Sequence, residues 1–441
     1  MTSATLVGDL AFGLGGIHAW AMATAAVIAA SCALVGTLLV VRRMSLVGDA
    51  ISHAVLPGIA VAVLAGGRPG GPLVFLGAVA AAMLTVWLTQ GLRAAGGLTE
   101  DAGAGVVFTT LFAIGVVLVG LAPPGTHLDA ACVLYGELAF LPFDTISIAG
   151  QPVPRAFVAG ATVLAGLVAA AVATWKLQVF TAFDPAGARM AGIPVVGVTT
   201  GLLAATAVAT VASFDAVGAV LVVAMLVAPA AAAELLTRRL HRMVVVAMAL
   251  GAVAACVGYL AAWRLHTSAA GMIAVVLGLE YAAAAVLAPD DGLAARLIGR
   301  ARLAWRVARE DRLATVWRAE ESGNRAAARP QTPHEAVVVR WLEFTGHLLR
   351  DGSSWRLSPA GRREAENVVR SHRLWEAWLG RHADLPLDHL HPPAEWVEHH
   401  LGAEMRERLE ADMDERAADP HGREIPPEAR WLAARGCIVF P

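Results

Sequence analysis

Two residues with metal-binding side chains, Asp49 and His53, lie four positions apart in the otherwise apolar stretch RRMSLVGDAISHAVLPG (42–58). On a helix, this spacing places a carboxylate and an imidazole one turn apart on the same face. An ionisable residue inside a bilayer is costly unless it faces the protein interior or a water path. The pair is interpreted as half of a divalent-metal site. The alternative is a structural pair that holds two helices together.

A second set of histidines and carboxylates lies near the C-terminus, on two predicted helices about twenty residues apart. Within each helix the spacing of three or four residues places the side chains on one face. Imidazole and carboxylate ligands, with no cysteine among them, suit manganese, iron or zinc. The alternative is a charged, solvated face. The members of this set are His372, Glu376, His391, Glu395, Glu398 and His399.

The elements that position these groups follow from the distribution of charge along the chain. Of its 441 residues, 57% are hydrophobic and 16% are charged, whereas soluble domains carry roughly 25% charged residues. Charged residues are sparse up to residue 289 and dense after it. This pattern predicts a membrane domain followed by a soluble domain. The net charge of −2 gives no indication of nucleic-acid binding.

Two kinds of site are excluded by residue usage. The four cysteines include no CxxC pair, so neither a disulfide framework nor a thiolate zinc site is predicted. Lysine occurs once, at Lys176, and no glycine-rich loop precedes it. Because a Walker A nucleotide site requires a lysine, any ATPase that serves this protein must be another chain. The N-terminus lacks a basic region, so a cleaved signal peptide is not expected.

Nine segments have the roughly 20 apolar residues that a membrane span needs. With the arginine-rich connections in the cytoplasm, nine spans place the N-terminus outside and the C-terminal tail inside. The predicted fold class is an all-α polytopic membrane domain followed by a mainly helical soluble domain. Residues 123–151 are expected to form an external excursion with a short helix near 135–139. The predicted spans are 17–41, 46–66, 71–90, 103–122, 155–175, 194–212, 216–237, 243–263 and 269–288.

The chain is therefore divided into an external segment (1–16), a transmembrane domain (17–289), a cytoplasmic helical linker (290–332) and a cytoplasmic domain (333–441). In the last of these, a helix is followed by a hairpin signal at Asp351-Gly352 and by a helix start at Ser358-Pro359. This order suggests a winged-helix remnant, with a small α/β adaptor as the alternative. In the membrane half, Glu280 either lines a path or makes a structural hydrogen bond. His127, Asp129 and Glu137 either assist ion entry or are solvated loop residues.

The segment MSLVGDAISHAVLPGIA (44–60) resembles the signature of the membrane permease subunit of zinc, manganese and iron ABC importers. FDPAGARMAGIP (183–194) resembles the cytoplasmic coupling loop of that family, although Ala186 stands where an acidic residue is common. The resemblance implies that Asp49 and His53 bind the passing ion. It also implies that a loop containing Asp184, Ala188 and Gly192 docks on a separate ATP-binding cassette subunit. The implied setting is the bacterial plasma membrane, with an extracytoplasmic metal-binding protein and a second permease chain as further partners.

The tail carries a second resemblance. SPAGRREAENVVRSHRLWEAWL, HPPAEWVEHH and DPHGREIP (419–426) are similar to the diphtheria-toxin-repressor family of iron- and manganese-dependent regulators. The resemblance implies that the six His and Glu residues named above are metal ligands. Glu395 occupies a position that is a Glu in manganese-type members. That family also takes ligands from its first DNA-binding helix, and no counterpart is identified in this sequence.

The hypothesis that follows is a permease subunit of an ATP-driven divalent-metal importer, with Mn²⁺ first and Zn²⁺ or Fe²⁺ as competitors. It has no enzymatic site and no permanently bound cofactor, and its tail senses cytoplasmic metal. The alternative is a membrane-tethered, metal-dependent transcription regulator, although nine spans exceed what an anchor needs and nucleic-acid binding is not expected. A secondary transporter is a third possibility, but no inverted repeat is evident.

Overall fold

The chain forms two compact units, Met1–Arg296 and Leu297–Pro441, in the computed structural model. The predicted domain boundaries after residues 16, 289 and 332 stay predictions. The structure describes residues 17–67, 71–96, 100–121, 138, 141–148, 151–290, 292–352, 354–383, 386, 394–395, 397–412 and 418–426.

Long apolar helices make up most of the first unit. Among the described residues, nine helical segments are long and apolar enough to cross a membrane, which confirms the predicted polytopic membrane domain. The helices are α1 (Ile17–Val41), α2 (Ser45–Ala54), α3 (Leu56–Leu64), α4 (Pro72–Gly96), α5 (Glu100–Gly120), α6 (Arg155–Phe183), α7 (Pro185–Met190), α8 (Val195–Leu236), α9 (Leu240–Leu265) and α10 (Ala269–Leu287).

Helix α1 lies at the centre of this unit and packs against α6, α8 and α9. Its contacts depend on small residues, because close approach of backbones drives helix association in lipid. Ala21, Ala25 and Ala29 are completely buried. At Gly36, an added Cβ would lie 1.9 Å from the carbonyl oxygen of Leu226 in α8. The backbones of α1 and α8 are therefore in direct contact at this point.

The second predicted span is divided into α2 and α3 at Val55. Pro57 has no N–H group, so it cannot donate a helical hydrogen bond to the carbonyl of His53. Gly58 allows α3 to approach α4, since an added Cβ would lie 2.1 Å from the Gly77 carbonyl oxygen. The break falls directly after the Asp49–His53 pair.

The sixth and seventh predicted spans form one helical run, α8, with an interruption at Gly218. The backbone of Gly218 has φ 75° and ψ 162°, a conformation that favours glycine over residues with a side chain. The two apolar segments on either side, Val195–Phe214 and Ala216–Leu236, agree with the predicted spans.

The predicted external excursion contains a feature that the sequence does not predict. A 3₁₀ turn (Leu141–Phe143) leads into a hairpin of β1 (Thr145–Ile148) and β2 (Gln151–Pro154), which pair antiparallel with Thr145 opposite Pro154. The predicted short helix near 135–139 lies, apart from residue 138, outside the described residues.

The second unit is mainly helical, as predicted, and has its own core. Its elements in chain order are α11 (Leu293–Glu321), which begins just before the unit boundary, a 3₁₀ turn (Arg325–Ala328), α12 (Pro333–Phe344), β3 (Leu348–Asp351), β4 (Ser354–Leu357), α13 (Pro359–His382) and α14 (Ala403–Ala411). Leu313, Val338, Leu342 and Leu348 are buried together where α11, α12 and the β3–β4 hairpin meet.

Two local predictions for this unit are borne out. The hairpin turns at residues 351–354, with Asp351 paired to Ser354. Ser358 caps α13 by accepting a hydrogen bond of 3.0 Å from the Gly361 amide, and Pro359 occupies the first helical position.

Candidate metal sites

Helix α2 brings the carboxylate of Asp49 and the imidazole of His53 together. His53 Nε2 lies 3.4 Å from Asp49 Oδ1, and the side chains remain 28% and 34% exposed, respectively. The His53 ring is flanked by the rings of Phe108 and Phe112 from α5, with centroids 5.9 and 6.0 Å away. The pair thus faces an aromatic surface of a neighbouring helix and remains accessible.

The opposite face of α2 fixes this orientation. Val47, Ile51 and Ala54 are buried, and the Leu226 side chain would lie 3.6 Å from a Cβ added at Gly48. The Ser52 hydroxyl donates to the Gly48 carbonyl at 3.0 Å, so its polar group is satisfied within the helix. One oxygen and one nitrogen ligand form only part of a coordination shell, and an ion held here requires further ligands or water.

The segment that resembles a coupling loop forms the short helix α7. The Asp184 carboxylate caps this helix by accepting a 2.8 Å hydrogen bond from the Gly187 amide. Ala188 is fully buried, whereas Met190 is 90% exposed. Gly192 ends the turn with φ 77°, a value that favours glycine. The loop is therefore a folded unit between α6 and α8 that presents an apolar side chain at its surface.

The remaining polar candidates of the membrane half give no further cluster among the described residues. His127, Asp129 and Glu137 lie outside the described residues. Glu234 is exposed at the end of α8. Glu280 is partly buried in α10, and its Oε2 atom has no hydrogen-bond partner among the described residues.

In the second unit, His372 lies between two buried carboxylates. Its Nε2 is 3.1 Å from Glu376 Oε1, one turn along α13, and its Nδ1 is 2.6 Å from Glu398 Oε2. The three side chains are at most 4% exposed. The structure thus brings together three of the six predicted tail ligands.

His399 connects this group to α11. Its Nδ1 lies 2.8 Å from Glu310 Oε2, and its Nε2 lies 3.0 Å from Asp311 Oδ1 and 3.5 Å from Glu398 Oε1. One ligand atom from each of Asp311, Glu398 and His399 falls within 4.8 Å of the others. That spacing suits donors that share one metal ion.

The structure adds two carboxylates to this set and leaves two of its members outside it. No counterpart of the family's ligands from its first DNA-binding helix is identified in the sequence, and in the structure Glu310 and Asp311 on α11 contact His399. A signal existed, since these two are the first acidic residues in an otherwise arginine-rich helix. Glu395 is exposed, unlike Glu398, and His391 lies outside the described residues.

The electrostatics of the cluster fit a divalent cation. Burial lowers the pKa of His399, but the hydrogen bonds to Asp311 and Glu310 outweigh it and raise the pKa to about 10. Burial also lowers the pKa of His372, but its contacts with Glu376 and Glu398 outweigh this effect, so the pKa is raised. The Arg318 guanidinium lies 3.7 Å from Glu398. Carboxylates and imidazoles are ligands that Mn²⁺, Fe²⁺ and Zn²⁺ accept, and an ion that takes the imidazole nitrogens displaces their protons.

Comparison with known proteins finds a family match in each of the two parts of the chain, and both predicted resemblances are confirmed. Residues 17–288 match the ABC 3 transport family. Residues 358–427 match the iron dependent repressor, metal binding and dimerisation domain. The second match begins after the β3–β4 hairpin, so it covers α13 with His372 and the segment with His399, and not the helix–hairpin part before them.

Individual relatives match over stretches of similar length. The manganese transport system membrane protein MntD of Bacillus subtilis is 43% identical over 277 residues, covering 63% of this chain and 94% of that protein. The zinc transport system membrane protein TroD of Treponema pallidum is 36% identical over 274 residues, covering 62% and 75%. Among solved structures, PsaBC from Streptococcus pneumoniae in complex with Fab aligns with a TM-score of 0.56 and 26% identity, covering 65% of this chain and 97% of that one.

Proposed function

The chain belongs to the ABC 3 transport family, and on that premise we propose that it is the membrane permease subunit of an ATP-driven importer of divalent metal ions. Mn²⁺ is the first candidate substrate, because the relative with 43% identity is a manganese transport protein. Zn²⁺ and Fe²⁺ are the competitors. The observation that carries the proposal is the accessible Asp49–His53 pair at the break of a membrane helix.

In this proposal Asp49 and His53 hold the passing ion briefly. Their two ligand atoms leave the coordination shell open, which favours release over retention. The remaining ligands would be water molecules or groups from elsewhere in the assembled transporter. The hydrophobic rings of Phe108 and Phe112 restrict water on one side of the imidazole.

The energy for transport comes from a separate ATP-binding cassette subunit. The only lysine, Lys176, has no phosphate-binding loop before it. Helix α7, with Asp184, Ala188 and Gly192, provides the docking element for that subunit. An extracytoplasmic binding protein delivers the ion, and a second permease chain encloses the path. Because arginine-rich connections favour the cytoplasmic side, the proposal has the tail in the cytoplasm of a bacterial cell, below the plasma membrane.

The tail is a cytoplasmic metal sensor in this proposal. It would hold a divalent ion through Asp311, Glu398 and His399, with His372 and Glu376 beside them. The side chains of His372, Glu376, Glu398 and His399 are at most 5% exposed, whereas Asp311 is 54% exposed. Because the set offers more carboxylates than the pore pair, the tail site suits retention of an ion that the pore releases. Occupancy in a metal-replete cell would lower transport, which couples two sites through one ion.

Reconstitution tests the importer directly. The permease is placed in liposomes with the ATPase subunit of its transporter, and uptake of radioactive Mn²⁺ is measured with and without ATP. We expect uptake that requires ATP and that excess Zn²⁺ or Fe²⁺ reduces. Uptake that proceeds equally without ATP, or no uptake of any of the three metals, would refute the proposal.

A further inference from the structure

We propose that Arg42 is the positioning residue that links movement of α7 to the ion-binding helix α2. The inference rests on the proposed function, because it assigns the route by which an ATPase docked on α7 reaches Asp49. The route consists of one side chain at the junction of four helices.

Arg42 lies in the short turn between α1 and α2. The backbone of this turn is fixed, since the Arg42 amide donates to the Leu39 carbonyl at 3.1 Å and the Met44 amide donates to the same carbonyl at 3.0 Å. Helix α2 begins at Ser45 and carries Asp49 in its second turn. A displacement of Arg42 therefore acts directly on the start of the helix that holds the ion.

The guanidinium of Arg42 donates hydrogen bonds to the two helices on either side of α7, namely α6 and α8. It donates to the Gln178 side-chain oxygen at 2.6 Å, the Gln178 carbonyl at 3.2 Å and the Thr181 hydroxyl at 2.8 Å, all on α6. It also donates to the Thr199 hydroxyl on α8 at 3.2 Å. Helix α6 ends at Phe183, directly before α7, and α8 begins at Val195, directly after the α7 loop.

The hydrogen bonds of Arg42 are of a kind that can break and re-form when helices move. All four acceptors are uncharged, so the arginine is held by several exchangeable hydrogen bonds and not by one fixed ion pair. Gln178 and Thr181 are only 7% and 4% exposed. Among the described residues, the Arg42 Nε atom is buried without a hydrogen-bond partner. Arg42 as a whole is half-buried, and its contacts are hydrogen bonds to neutral groups, whereas buried charges are normally paired with an opposite charge.

There is room for the movement. A cavity of about 790 Å³ lies beside the guanidinium, and its lining joins the elements concerned: Arg42, Val47 of α2, Pro185 and Arg189 of α7, and Thr199 of α8. A shift of α7 would close or open this space and carry Arg42 with it. Arg42 is thus placed to convert that shift into a displacement of α2.

The test uses the full permease–ATPase complex in liposomes, with ATP hydrolysis and Mn²⁺ uptake measured together. For Arg42→Gln we expect the amount of Mn²⁺ transported per ATP to fall at least tenfold, while hydrolysis stays within twofold of wild type. Arg42→Lys should restore part of this ratio. Arg43→Gln is the matched control, because Arg43 is an exposed arginine of the same turn, and its ratio should not change.

The outcomes separate a coupling role from a structural one. An unchanged ratio for Arg42→Gln, or a parallel loss of hydrolysis and uptake, would overturn the inference. If Arg42→Gln does not assemble, Gln178→Leu removes the side-chain acceptor on α6 and must lower the same ratio. A wild-type complex that fails to take up metal with ATP would count against the proposed function instead.

Discussion

His399 Nε2 lies 3.0 Å from Asp311 Oδ1, which joins the turn before α14 to the middle of α11. Helix α11 begins at Leu293, and the last apolar helix of the membrane unit ends at Leu287. A metal ion bound by these two side chains would therefore hold α11 against the residues that precede α14. Because α11 follows the last span in the chain, the proposed function expects the tail ion to affect transport.

Asp311→Asn is expected to weaken metal binding by the tail. The carboxamide keeps the size of the side chain but removes a charged oxygen ligand, so affinity should fall at least about tenfold, which corresponds to 1.4 kcal/mol. The measurement is Mn²⁺ binding to the full chain in an Asp49→Ala background, where the pore pair no longer contributes. Glu404→Gln is the control, because Glu404 is 79% exposed and, within the described part of the chain, forms its ion pair with Arg408. Equal binding by both variants would remove Asp311 from the site.

Removing the buried pair His372 and Glu376 is expected to abolish feedback on uptake. With both changed to alanine, the tail loses two side chains that are 4% and 3% exposed beside Glu398. Uptake in proteoliposomes loaded with internal Mn²⁺ should then match uptake in metal-free ones, whereas the wild type should slow when loaded. A double variant that still slows like the wild type would show that the tail cluster does not regulate transport.

Much of the architecture could be predicted from the sequence because its signals are local. Runs of about 20 apolar residues define the spans, and the Ser358-Pro359 start and the Asp351-Gly352 turn depend on neighbouring residues alone. The Asp49–His53 contact is equally local, since four residues on a helix bring the side chains within 3.4 Å.

What could not be predicted depends on contacts between distant segments. The Glu310 and Asp311 carboxylates meet His399 only through the packing of α11 against the residues that follow α13, and no spacing rule connects them. The Arg42 contacts with Gln178 and Thr199 are of the same kind. In the sequence Arg42 marks only a cytoplasmic end, and its acceptors are ordinary polar residues of two later helices.

Asp49→Ala is expected to lower metal uptake at least about tenfold, because a charged ligand of the passing ion is lost, and each 1.4 kcal/mol changes affinity tenfold. Stimulation of ATP hydrolysis by the assembled complex tests whether the fold and the docking of the ATPase survive. The control is Asp290→Asn, since Asp290 is 75% exposed and 3.9 Å from Arg238. Mn²⁺, Zn²⁺ and Fe²⁺ uptake that all remain at wild-type rates would remove Asp49 from the path.

Glu335 is expected to make the tail sensitive to acid. The backbone amide of Gln331 donates to the Glu335 carboxylate at 2.7 Å, and Arg312 also donates to it. These contacts outweigh the effect of burial and hold the pKa of Glu335 below the ordinary 4.5. Because the folded pKa is the lower one, Glu335 stabilises the tail above pH 4.5, and this contribution disappears as pH falls through the folded pKa. Glu335→Gln should therefore lower the free energy of unfolding of the tail by about 1 kcal/mol at pH 7. This loss should become smaller as the pH falls below 4.5.

The measurement for Glu335 is the urea midpoint for proteolysis of the tail in the detergent-solubilised full chain, taken from pH 7 to pH 3. Glu404→Gln, at an exposed carboxylate, should follow the wild type throughout. A difference between Glu335→Gln and wild type that grows as the pH falls would contradict the assigned sign.

Gly36→Ala is expected to destabilise the membrane unit by separating α1 from α8. The new methyl group would lie 1.9 Å from the Leu226 carbonyl oxygen, and a backbone atom cannot move aside as a flexible side chain can. Overpacking of this kind costs about 1–3 kcal/mol. The matched control is Gly166→Ala on α6, where an added Cβ meets nothing within 4 Å and the higher helix propensity of alanine should stabilise slightly. Thermal midpoints of the two variants in detergent should shift in opposite directions. A midpoint for Gly36→Ala at or above the wild-type value would show that α1 and α8 are not in backbone contact at this position.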